Sequence, residues 1–360
     1  MTIDGSGRVR KIGSAPDDAV IRPMPGRALM PGFINSHSHA FQRALRGRTE
    51  GSSGRRHSFW SWRDDMYRLV MCMTPDDVEA ITLQCYREMR AAGYTTVKEF
   101  HYVHHRPDGG QYDDVHELSL RIASAARRAG IQLHLLRVAY PDAAESAQRR
   151  FADPSVQLAI ERTDDLRSKL GCKVGIAPHS VRAVSPEGFM ECAAWASMAG
   201  AECHAHLAEQ PREVAWCIER YGCRPVELVR ESLGPGFVGV HLTHLTHDEV
   251  ELVGAARATA CICPTTEANL GDGVPMTSDL LAAGARLAIG SDSQAELDPF
   301  AELRLMEYNE RNRLGRRRVL DPSALISAST EALQIGADAR LLAIDLDHPS
   351  IVGADPKHLC

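Results

Sequence analysis

PDDVEAITLQCYREMRAAGYTTVKEF (75–100) is the stretch from which the fold can be predicted. Residues 75–93 carry apolar side chains at helical spacing, start with a proline after a threonine and end at a glycine, which is typical of a helix. Residues 95–100, TTVKEF, are short and rich in β-branched side chains, as expected of a strand. A helix that leads into a strand is the repeating unit of a parallel α/β fold.

The same alternation recurs along the chain. Further helical patterns cover residues 117–130, 186–200 and 248–258. We predict eight strands, at residues 28–35, 95–100, 132–139, 173–178, 202–207, 237–242, 258–263 and 286–291. Eight parallel strands joined by right-handed crossovers close naturally, so the sequence predicts an α/β fold of the (β/α)8 TIM-barrel type. An open doubly wound sheet is the alternative, but no GxGxxG or GxxxxGK[ST] motif follows any of these strands.

The two ends of the chain are predicted to form a small β-domain outside the barrel. The segment before the first strand contains hairpin-like material around the turn DGSG, and DARLLAIDLDHP (338–349) has the pattern of a further strand. We therefore assign residues 1–27 and 336–360 to the two parts of the β-domain, and residues 28–335 to the barrel.

Composition and charge exclude several functional classes. Of the 360 residues, 44% are hydrophobic and 24% are charged, which is ordinary for a folded globular chain. The net charge of −6 offers no basic field to nucleic acid or an anionic membrane, so neither is expected as a partner. No apolar run approaches the roughly 18 residues of a membrane helix and the start is polar, so a cytoplasmic location is expected. The ten cysteines form no CxxC pair and are expected to be reduced thiols.

Reactive side chains concentrate at the carboxyl ends of the predicted strands, where a barrel carries its active site. These residues are His37, His39, Tyr102, His179, Arg182, His206, Glu209, His241 and Asp292. His37 and His39 are two positions apart, so both imidazoles lie on one face of a strand and can reach one ion. A single histidine at a strand end is more often an ordinary hydrogen-bonded residue than a metal ligand. Histidines and an aspartate at four strand ends favour a metal site.

Four motifs here resemble the metal-site motifs of the amidohydrolase superfamily, in its deaminase branch. They are PGFINSHSHA (31–40), HLAE (206–209), HLTH (241–244) and GSD (290–292). The resemblance implies that one divalent metal ion is held by His37, His39, His206 and Asp292. It also implies that His241 and Glu209 act on substrate and water. Three histidines and a carboxylate suit zinc, although iron or manganese would also be accommodated.

Two further histidines are alternatives within these motifs. His204 would share a face of the fifth strand with His206, and His244 lies shortly beyond His241. We choose His206 because it forms an HxxE pattern with Glu209, and His241 because it falls directly at the strand end. His204 and His244 are then expected to be surface polar residues or to support the site indirectly.

Six longer segments resemble one family within this branch, formimidoylglutamate deiminase, also called N-formimino-L-glutamate iminohydrolase. They are HAFQRALRG (39–47), SFWSWRDDMYRLV (58–70), EFHYVHH (99–105), APHSVRAV (177–184), CPTTEANLGDG (263–273) and ELRLMEYNERN (302–312). The likeness runs from about residue 28 to residue 313. It implies hydrolysis of N-formimino-L-glutamate to N-formyl-L-glutamate and ammonia, a reaction of histidine degradation.

The same resemblance implies a set of substrate contacts, which are Gln42, Arg63, Tyr102, His179 and Arg182. The substrate carries an amidine at one end and two carboxylates at the other, and planar guanidinium groups match carboxylates well. Arg182 is the stronger candidate, because it follows His179 by three residues at a strand end. Arg63 stands between aromatic residues and next to two aspartates, so a solvated charge or a structural ion pair is its alternative role.

The reaction expected from this resemblance is a hydrolytic deimination. A bound divalent metal lowers the pKa of a water molecule from about 15.7 toward about 7. Asp292 would take the proton of that water and His241 would orient or polarise the complex. Glu209 would then pass a proton to the departing nitrogen.

Two features depart from the family pattern. The part after the eighth strand is short, so the β-domain is expected to be incomplete, and Gln294 stands where the family usually has histidine.

One alternative function is another deaminase or cyclic amide hydrolase, with a purine, pterin, triazine or imidazolone as substrate. The other is a catalytically impaired metal-binding homologue, against which the intact Glu209 and Asp292 argue. A homodimer is compatible with the sequence, which leaves the oligomeric state open.

Overall fold

The computed structural model describes residues 1–49 and 58–353, which form strands and helices in regular alternation. The strands are β1 (Thr2–Ile3), β2 (Val9–Lys11), β3 (Arg27–Pro31), β4 (Phe33–Ser38), β5 (Tyr94–His101), β6 (Gln132–Ala139), β7 (Lys173–Pro178), β8 (Cys203–Leu207), β9 (Phe237–His241), β10 (Thr259–Ile262), β11 (Arg286–Ile289) and β12 (Leu341–Asp345). The α-helices are α1 (Phe59–Cys72), α2 (Pro75–Ala91), α3 (Glu117–Ala129), α4 (Val156–Lys169), α5 (Pro186–Ala199), α6 (Pro211–Tyr221), α7 (Pro225–Leu228), α8 (His247–Ala255), α9 (Pro264–Leu270), α10 (Thr277–Ala283), α11 (Pro299–Leu314) and α12 (Pro322–Ser329). Short 3-10 helices span Ala40–Leu45, Ser146–Arg150 and Arg230–Ser232.

Strands β4 to β11 form one parallel sheet in which each strand pairs with the next along the chain. The first and last strands meet at their carboxyl ends. There the backbone N–H of Asp292 donates to the carbonyl of His37 at 3.0 Å, and the N–H of His39 donates to the carbonyl of Asp292 at 3.1 Å. The predicted (β/α)8 barrel is confirmed, with its helices outside the ring of strands.

Local signals explain where the predicted helices begin and end. Thr74 caps α2 in a capping box with Asp77, in which each side chain bonds the other residue's backbone N–H. Helices α3 and α5 end at Gly130 and Gly200, whose φ values of 70° and 59° are left-handed and suit glycine. Helix α8 ends earlier than the predicted 248–258, because Arg257 has a left-handed φ of 52°.

A continuous apolar core fills the space between the strands and the helices. Its fully buried members include Tyr86 and Met89 of α2, Val97 of β5, Leu135 of β6 and Phe189 of α5. Because such close-packed layers resist displacement, the carboxyl ends of the strands are held in fixed relative positions.

One strand prediction is wrong in detail. The segment 28–35 is two strands, β3 and β4, which separate at Gly32. Strand β3 pairs antiparallel with β12, whereas β4 pairs parallel with β5 in the barrel. A Cβ atom at Gly32 would lie 2.2 Å from the side chain of Thr95, so the chain passes between the two sheets only because this residue is glycine.

Segments from the two chain ends are in contact outside the barrel. Strands β1 and β2 pair with each other, and Val9 exchanges backbone hydrogen bonds with Gly336 and Ala337. Strand β12 lies along β3. The division of the chain into domains remains a prediction, and residues 354–360 of its C-terminal part lie outside the described residues.

Within residues 1–49 and 58–353 there is no helix with the length and apolar character to cross a membrane. The nine cysteines in the same residues form no disulfide with one another, and Cys360 lies outside the described residues. The expectation of reduced cysteines stays a prediction.

A buried ion-pair cluster joins the loop after the second 3-10 helix to β6 and α4. The carboxylate of Asp153 accepts from both Nη atoms of Arg137, at 2.8 and 2.9 Å, and from Arg162 at 2.8 Å. Asp153 and Arg137 are almost completely buried, with 1% and 2% of their surface exposed. One carboxylate is therefore shared by two guanidinium groups away from water.

We expect Asp153→Ala to lower the free energy of unfolding by about 3–5 kcal/mol, because it leaves two guanidinium groups without their carboxylate. The measurement is urea denaturation at neutral pH. Asp65→Ala is the control, since it removes the partner of Arg68 from an exposed pair and should cost less than about 1 kcal/mol. Equal small losses in both variants would contradict the assigned role of Asp153.

Candidate active site

Four predicted ligand residues meet at the carboxyl end of the barrel. The Nε2 atoms of His37, His39 and His206 lie 3.1 to 3.4 Å from one another. The Oδ1 atom of Asp292 lies 3.2 Å from Nε2 of both His37 and His39. All four side chains are buried. The structure thus brings together the residues that the motifs singled out on β4, on β8 and after β11.

The separations of these atoms suit a single divalent ion. Ligands bound tetrahedrally at about 2.0–2.1 Å from a metal are about 3.3 Å apart, which is the spacing of this cluster. Neutral imidazole nitrogens with their lone pairs facing one another make no favourable contact unless a cation lies between them. The donor set of three imidazoles and one carboxylate is one that zinc and other first-row metals accept.

Hydrogen bonds on the far side of the rings orient the histidines toward the cluster. The Nδ1 atom of His39 lies 2.9 Å from the carbonyl of Phe100, and that of His206 lies 3.0 Å from the carbonyl of His179. A carbonyl only accepts, so each Nδ1 carries the proton and each Nε2 presents its lone pair. Burial lowers the pKa of His37 to about 3 and that of His206 well below its usual range, which keeps both rings neutral.

Several turns around the cluster hold strained backbone. Residues Ala208, His241, Leu242, Asp292 and Gln294 have φ values between 45° and 71°. Residues other than glycine rarely adopt this left-handed backbone conformation. Such strain persists only where surrounding contacts impose it. Its concentration after β8, β9 and β11 marks this end of the barrel as the functional one.

Gln294 occupies the position where the sequence departs from the family pattern. Its Nε2 donates to Ser38 Oγ at 3.0 Å and to the carbonyl of Asp292 at 2.6 Å, while its Oε1 accepts from Ser291 at 2.6 Å. The side chain is fully buried and both of its amide groups are bonded. Glutamine therefore fastens the Asp292 turn to the end of β4.

His241 lies between two carboxylates at the edge of the cluster. Its Nδ1 is 3.3 Å from Oε1 of Glu267, and its Nε2 is 3.8 Å from Oε1 of Glu209. Burial lowers the pKa of His241, but the negative charges of Glu209, Glu267 and Asp292 outweigh burial and raise it well above its usual range. The neighbouring carboxylates therefore favour the protonated form of His241.

A cavity of about 370 Å³ opens onto this cluster. Its lining includes the predicted residues His39, Gln42, Arg63, Tyr102, His179, Arg182, His206, Glu209 and Asp292. Its volume is in the range of ordinary small-molecule sites. The structure thus gathers the five predicted substrate contacts around one space, whereas His37 and His241 lie behind its wall.

The two predicted arginine contacts are both engaged by carboxylates. Arg63 donates to Glu145 at 3.0 Å, and Nη2 of Arg182 lies 3.5 Å from Glu209 and 3.7 Å from Glu213. In each arginine the buried Nε atom has no hydrogen-bond partner among residues 1–49 and 58–353. Arg63 also stacks on Trp60, with its guanidinium carbon 4.8 Å from the ring centre, so it is not the solvated charge considered above.

The remaining predicted contacts form the inner wall. Gln42 Nε2 donates to Tyr102 Oη at 2.9 Å, and Gln42 Oε1 has no partner among the described residues. The ring of His179 packs against Tyr102 and Tyr140, with ring centres 5.7 and 4.7 Å apart. Phe100 packs beneath the cluster, with its ring centre 4.5 Å from that of His206.

The two alternative histidines do not reach the cluster. His204 is fully buried, with Nε2 3.3 Å from Glu202, so it is not a surface residue. His244 donates from Nε2 to the carbonyl of Asp272 at 2.7 Å. The choices of His206 and His241 agree with these positions.

Sequence reasoning missed several buried acids around the site. Glu99 accepts from Ser38 Oγ and from the backbone N–H of Ala40, and burial raises its pKa to about 7. Glu267 and Glu213 lie within or just after quoted motifs, but their roles depend on partners from other elements. The sequence did contain a signal for these acids. Glu99 stands inside an apolar strand, and Glu213 and Glu267 stand in the first turn of a helix that follows a strand with predicted site residues.

Comparison with known proteins places the chain among amidohydrolases. The model of the Amidohydrolase family matches residues 28–340. The formimidoylglutamate deiminase of Pseudomonas aeruginosa is 41% identical over 92% of this chain and 79% of its own length. The 8-oxoguanine deaminase of the same organism is 26% identical over 82% of this chain and 67% of its own. The crystal structure of an amidohydrolase from Brucella melitensis is 34% identical, with a TM-score of 0.88, over 98% of this chain and 84% of that one.

We expect His206→Ala to lose the divalent metal and His204→Ala to retain it. Of these two histidines, only His206 directs a nitrogen into the cluster. The measurement is elemental analysis of purified protein, in which the parent should contain about one divalent ion per chain. The two variants are matched, since each removes a buried imidazole from β8. Equal metal loss in two folded variants would show that the choice between them is unjustified.

Proposed function

This chain belongs to the amidohydrolase family and is a hydrolase acting on C–N bonds, and we propose that it converts N-formimino-L-glutamate to N-formyl-L-glutamate and ammonia. The proposed cofactor is one zinc ion held by His37, His39, His206 and Asp292. The reaction adds water across the amidine carbon and releases its terminal nitrogen. Such a step would belong to histidine degradation, the route implied by the resemblance of the motifs.

One observation carries the choice of substrate. Arg63 and Arg182 approach the same cavity from α1 and from the turn after β7, and each keeps a buried Nε–H without a partner among the described residues. A buried donor without an acceptor is unfavourable, so a ligand with two carboxylates would satisfy both. Purines, pterins and triazines carry no such pair of carboxylates, which favours the formimino dicarboxylate over them.

The inner end of the cavity is suited to the amidine. Gln42 Oε1 offers an acceptor to an amidine N–H, and Tyr102 Oη is held in place by Gln42 Nε2. Buried polar groups of this kind discriminate against ligands that leave them unpaired. The proposed substrate would lie with its amidine at the histidine cluster and its carboxylates at the arginines.

The chain's own residues then provide the proton transfers. A divalent ion held by His37, His39, His206 and Asp292 would supply a water of lowered pKa, about 7, as the nucleophile. Asp292 takes a proton from the attacking water, whose oxygen bonds to the formimino carbon. Glu209, held between Arg182 and His241, would deliver both protons of the water to the terminal nitrogen, the first from Asp292 and the second from the new hydroxyl group. The hydroxyl oxygen then forms the C=O bond of the formyl group as the C–N bond breaks and ammonia leaves. His241, whose Nε2 lies 3.8 Å from Glu209, would orient or polarise the complex of water and substrate.

The direct test is ammonia release from N-formimino-L-glutamate by metal-replete protein, with guanine and imidazolonepropionate as comparison substrates. We expect turnover of the formimino compound and little or none of the other two. Faster release from guanine, or ring opening of imidazolonepropionate at a higher rate, would overturn the proposed substrate.

For the proton shuttle, we expect Glu209→Gln to keep the metal and the fold but to lose turnover by about 10²–10⁴-fold, since the amide has the same shape and cannot transfer a proton. The measurement is kcat at saturating substrate, with metal content and melting temperature recorded. The control is Glu219→Gln, an exposed glutamate on α6. A near-normal rate in metal-replete Glu209→Gln would remove Glu209 from the mechanism.

For the carboxylate anchor, we expect Arg182→Met to lose about 30- to 1000-fold in kcat/KM for N-formimino-L-glutamate, which corresponds to about 2–4 kcal/mol for an unpaired buried carboxylate. A small formamidine without carboxylates should be a poor substrate for the parent and almost equally poor for the variant. Neither protein can use the arginine with that compound.

Both proteins must have equal metal content in this comparison. Normal processing of N-formimino-L-glutamate by Arg182→Met, or an equal loss with both substrates, would mean that Arg182 does not anchor a carboxylate.

A further inference from the structure

Glu213 is a buried acid in the first turn of α6 whose contacts extend to two parts of the site. One of its oxygens, Oε1, accepts from the backbone N–H of Ala208 at 3.1 Å. Ala208 has a left-handed φ of 51°, which an alanine rarely adopts without support. The Glu213 carboxylate therefore holds the turn that carries Glu209.

The other oxygen of Glu213 faces Arg182. Oε2 lies 3.7 Å from Arg182 Nη2 and has no hydrogen-bond partner among the described residues. The same Nη2 atom lies 3.5 Å from Oε2 of Glu209. A single guanidinium nitrogen thus lies between two carboxylates, in a part of the cavity wall where Glu213 is only 1% exposed.

Arg182 is proposed to bind a substrate carboxylate, and its neighbour Glu209 is proposed to transfer protons. A strong ion pair between the two side chains would interfere with both roles. Without a second carboxylate, Arg182 would form a charge-assisted hydrogen bond with Glu209 alone, and such bonds are short and strong. Glu209 would then be less able to transfer protons, and Arg182 less able to turn toward a ligand. A second carboxylate, held by the backbone N–H of Ala208, balances that attraction.

We propose that Glu213 is a positioning residue that holds Arg182 and the Ala208–Glu209 turn in a fixed relation, so that Arg182 binds a substrate carboxylate while Glu209 stays free for proton transfer. The inference rests on the proposed function, which supplies the roles of Arg182 and Glu209. Glu213 itself does not contact the reacting atoms. Its removal should therefore act through two separable effects.

Two substitutions separate these effects. In Glu213→Gln the amide oxygen still accepts from the backbone N–H of Ala208, but the negative charge facing Arg182 is lost. In Glu213→Ala both the charge and the backbone acceptor are lost. Glu219→Gln is the matched control, since it makes the same change at an exposed position of the same helix.

The experiment measures kcat and KM for N-formimino-L-glutamate with metal-replete proteins, in the parent and in the Arg182→Met background. We expect Glu213→Gln to raise KM by about tenfold with kcat changed less than about threefold, the scale of one hydrogen bond to a charged group. Glu213→Ala should raise KM and also lower kcat by about tenfold or more, because the Glu209 turn relaxes. Glu219→Gln should match the parent.

The double-mutant cycle distinguishes positioning from general destabilisation. In the Arg182→Met background, Glu213→Gln should give no further rise in KM, since the two side chains then act through one contact. An unchanged KM in Glu213→Gln, or the same loss in both backgrounds, would overturn the inference. Glu213→Gln preserves the backbone contacts, so the cycle does not depend on the stability of Glu213→Ala.

Failure of the proposed function would be recognised separately. If the parent releases no ammonia from N-formimino-L-glutamate, the proposed function is wrong, and crystal structures of the parent and the Glu213 variants then decide the positioning role. A displaced Arg182 guanidinium in Glu213→Gln and a relaxed Ala208–Glu209 turn in Glu213→Ala would support it. Unchanged geometry at both places would overturn it.

Discussion

Two backbone hydrogen bonds between the ends of β4 and β11 close the barrel, and the rest of the site depends on them. They join His37 and His39 to Asp292, residues that lie more than 250 positions apart in the chain. The same three residues supply three of the four atoms in the proposed metal cluster. The contacts that close the sheet therefore also bring the cluster together, and a metal bound there would stabilise the folded barrel.

Burial of charge is the second constraint on this end of the barrel. Removing a carboxylate from water is costly unless donors replace the lost hydration, and Glu267 and Glu99 near the cluster have such donors. Glu267 accepts from the backbone N–H of Cys263 and pairs with His241, and Glu99 accepts from Ser38, Ala40 and Tyr86. These bonds hold the strained turns in place, which is how a barrel with a rigid apolar core directs side chains into a polar cavity.

The cavity combines charges of both signs in a small space. Arg182 is shared between Glu209 and Glu213, while Arg63 is shared between Glu145 and the face of Trp60. Partners that are already in place reduce the cost of ordering a long side chain when a ligand binds. The arginines are thus preorganised for an anionic ligand. The histidine cluster borders the same cavity, which is where the C–N bond of a substrate would be hydrolysed.

The sequence by itself determined the barrel and most of the proposed site. Helical and strand periodicities are local properties of the sequence. The helix-strand alternation at residues 75–100, which recurs along the chain, therefore predicted eight strands flanked by helices. In the same way, a spacing of two residues directed His37 and His39 to one face of a strand. Only the tertiary structure decided the break at Gly32, the burial of His204 against Glu202, and the contacts of Glu213 with Arg182 and the Ala208 turn. The physical reason is that spacing along the chain fixes the direction of a side chain on its own element. Which distant element meets that side chain depends on how the packed layers close.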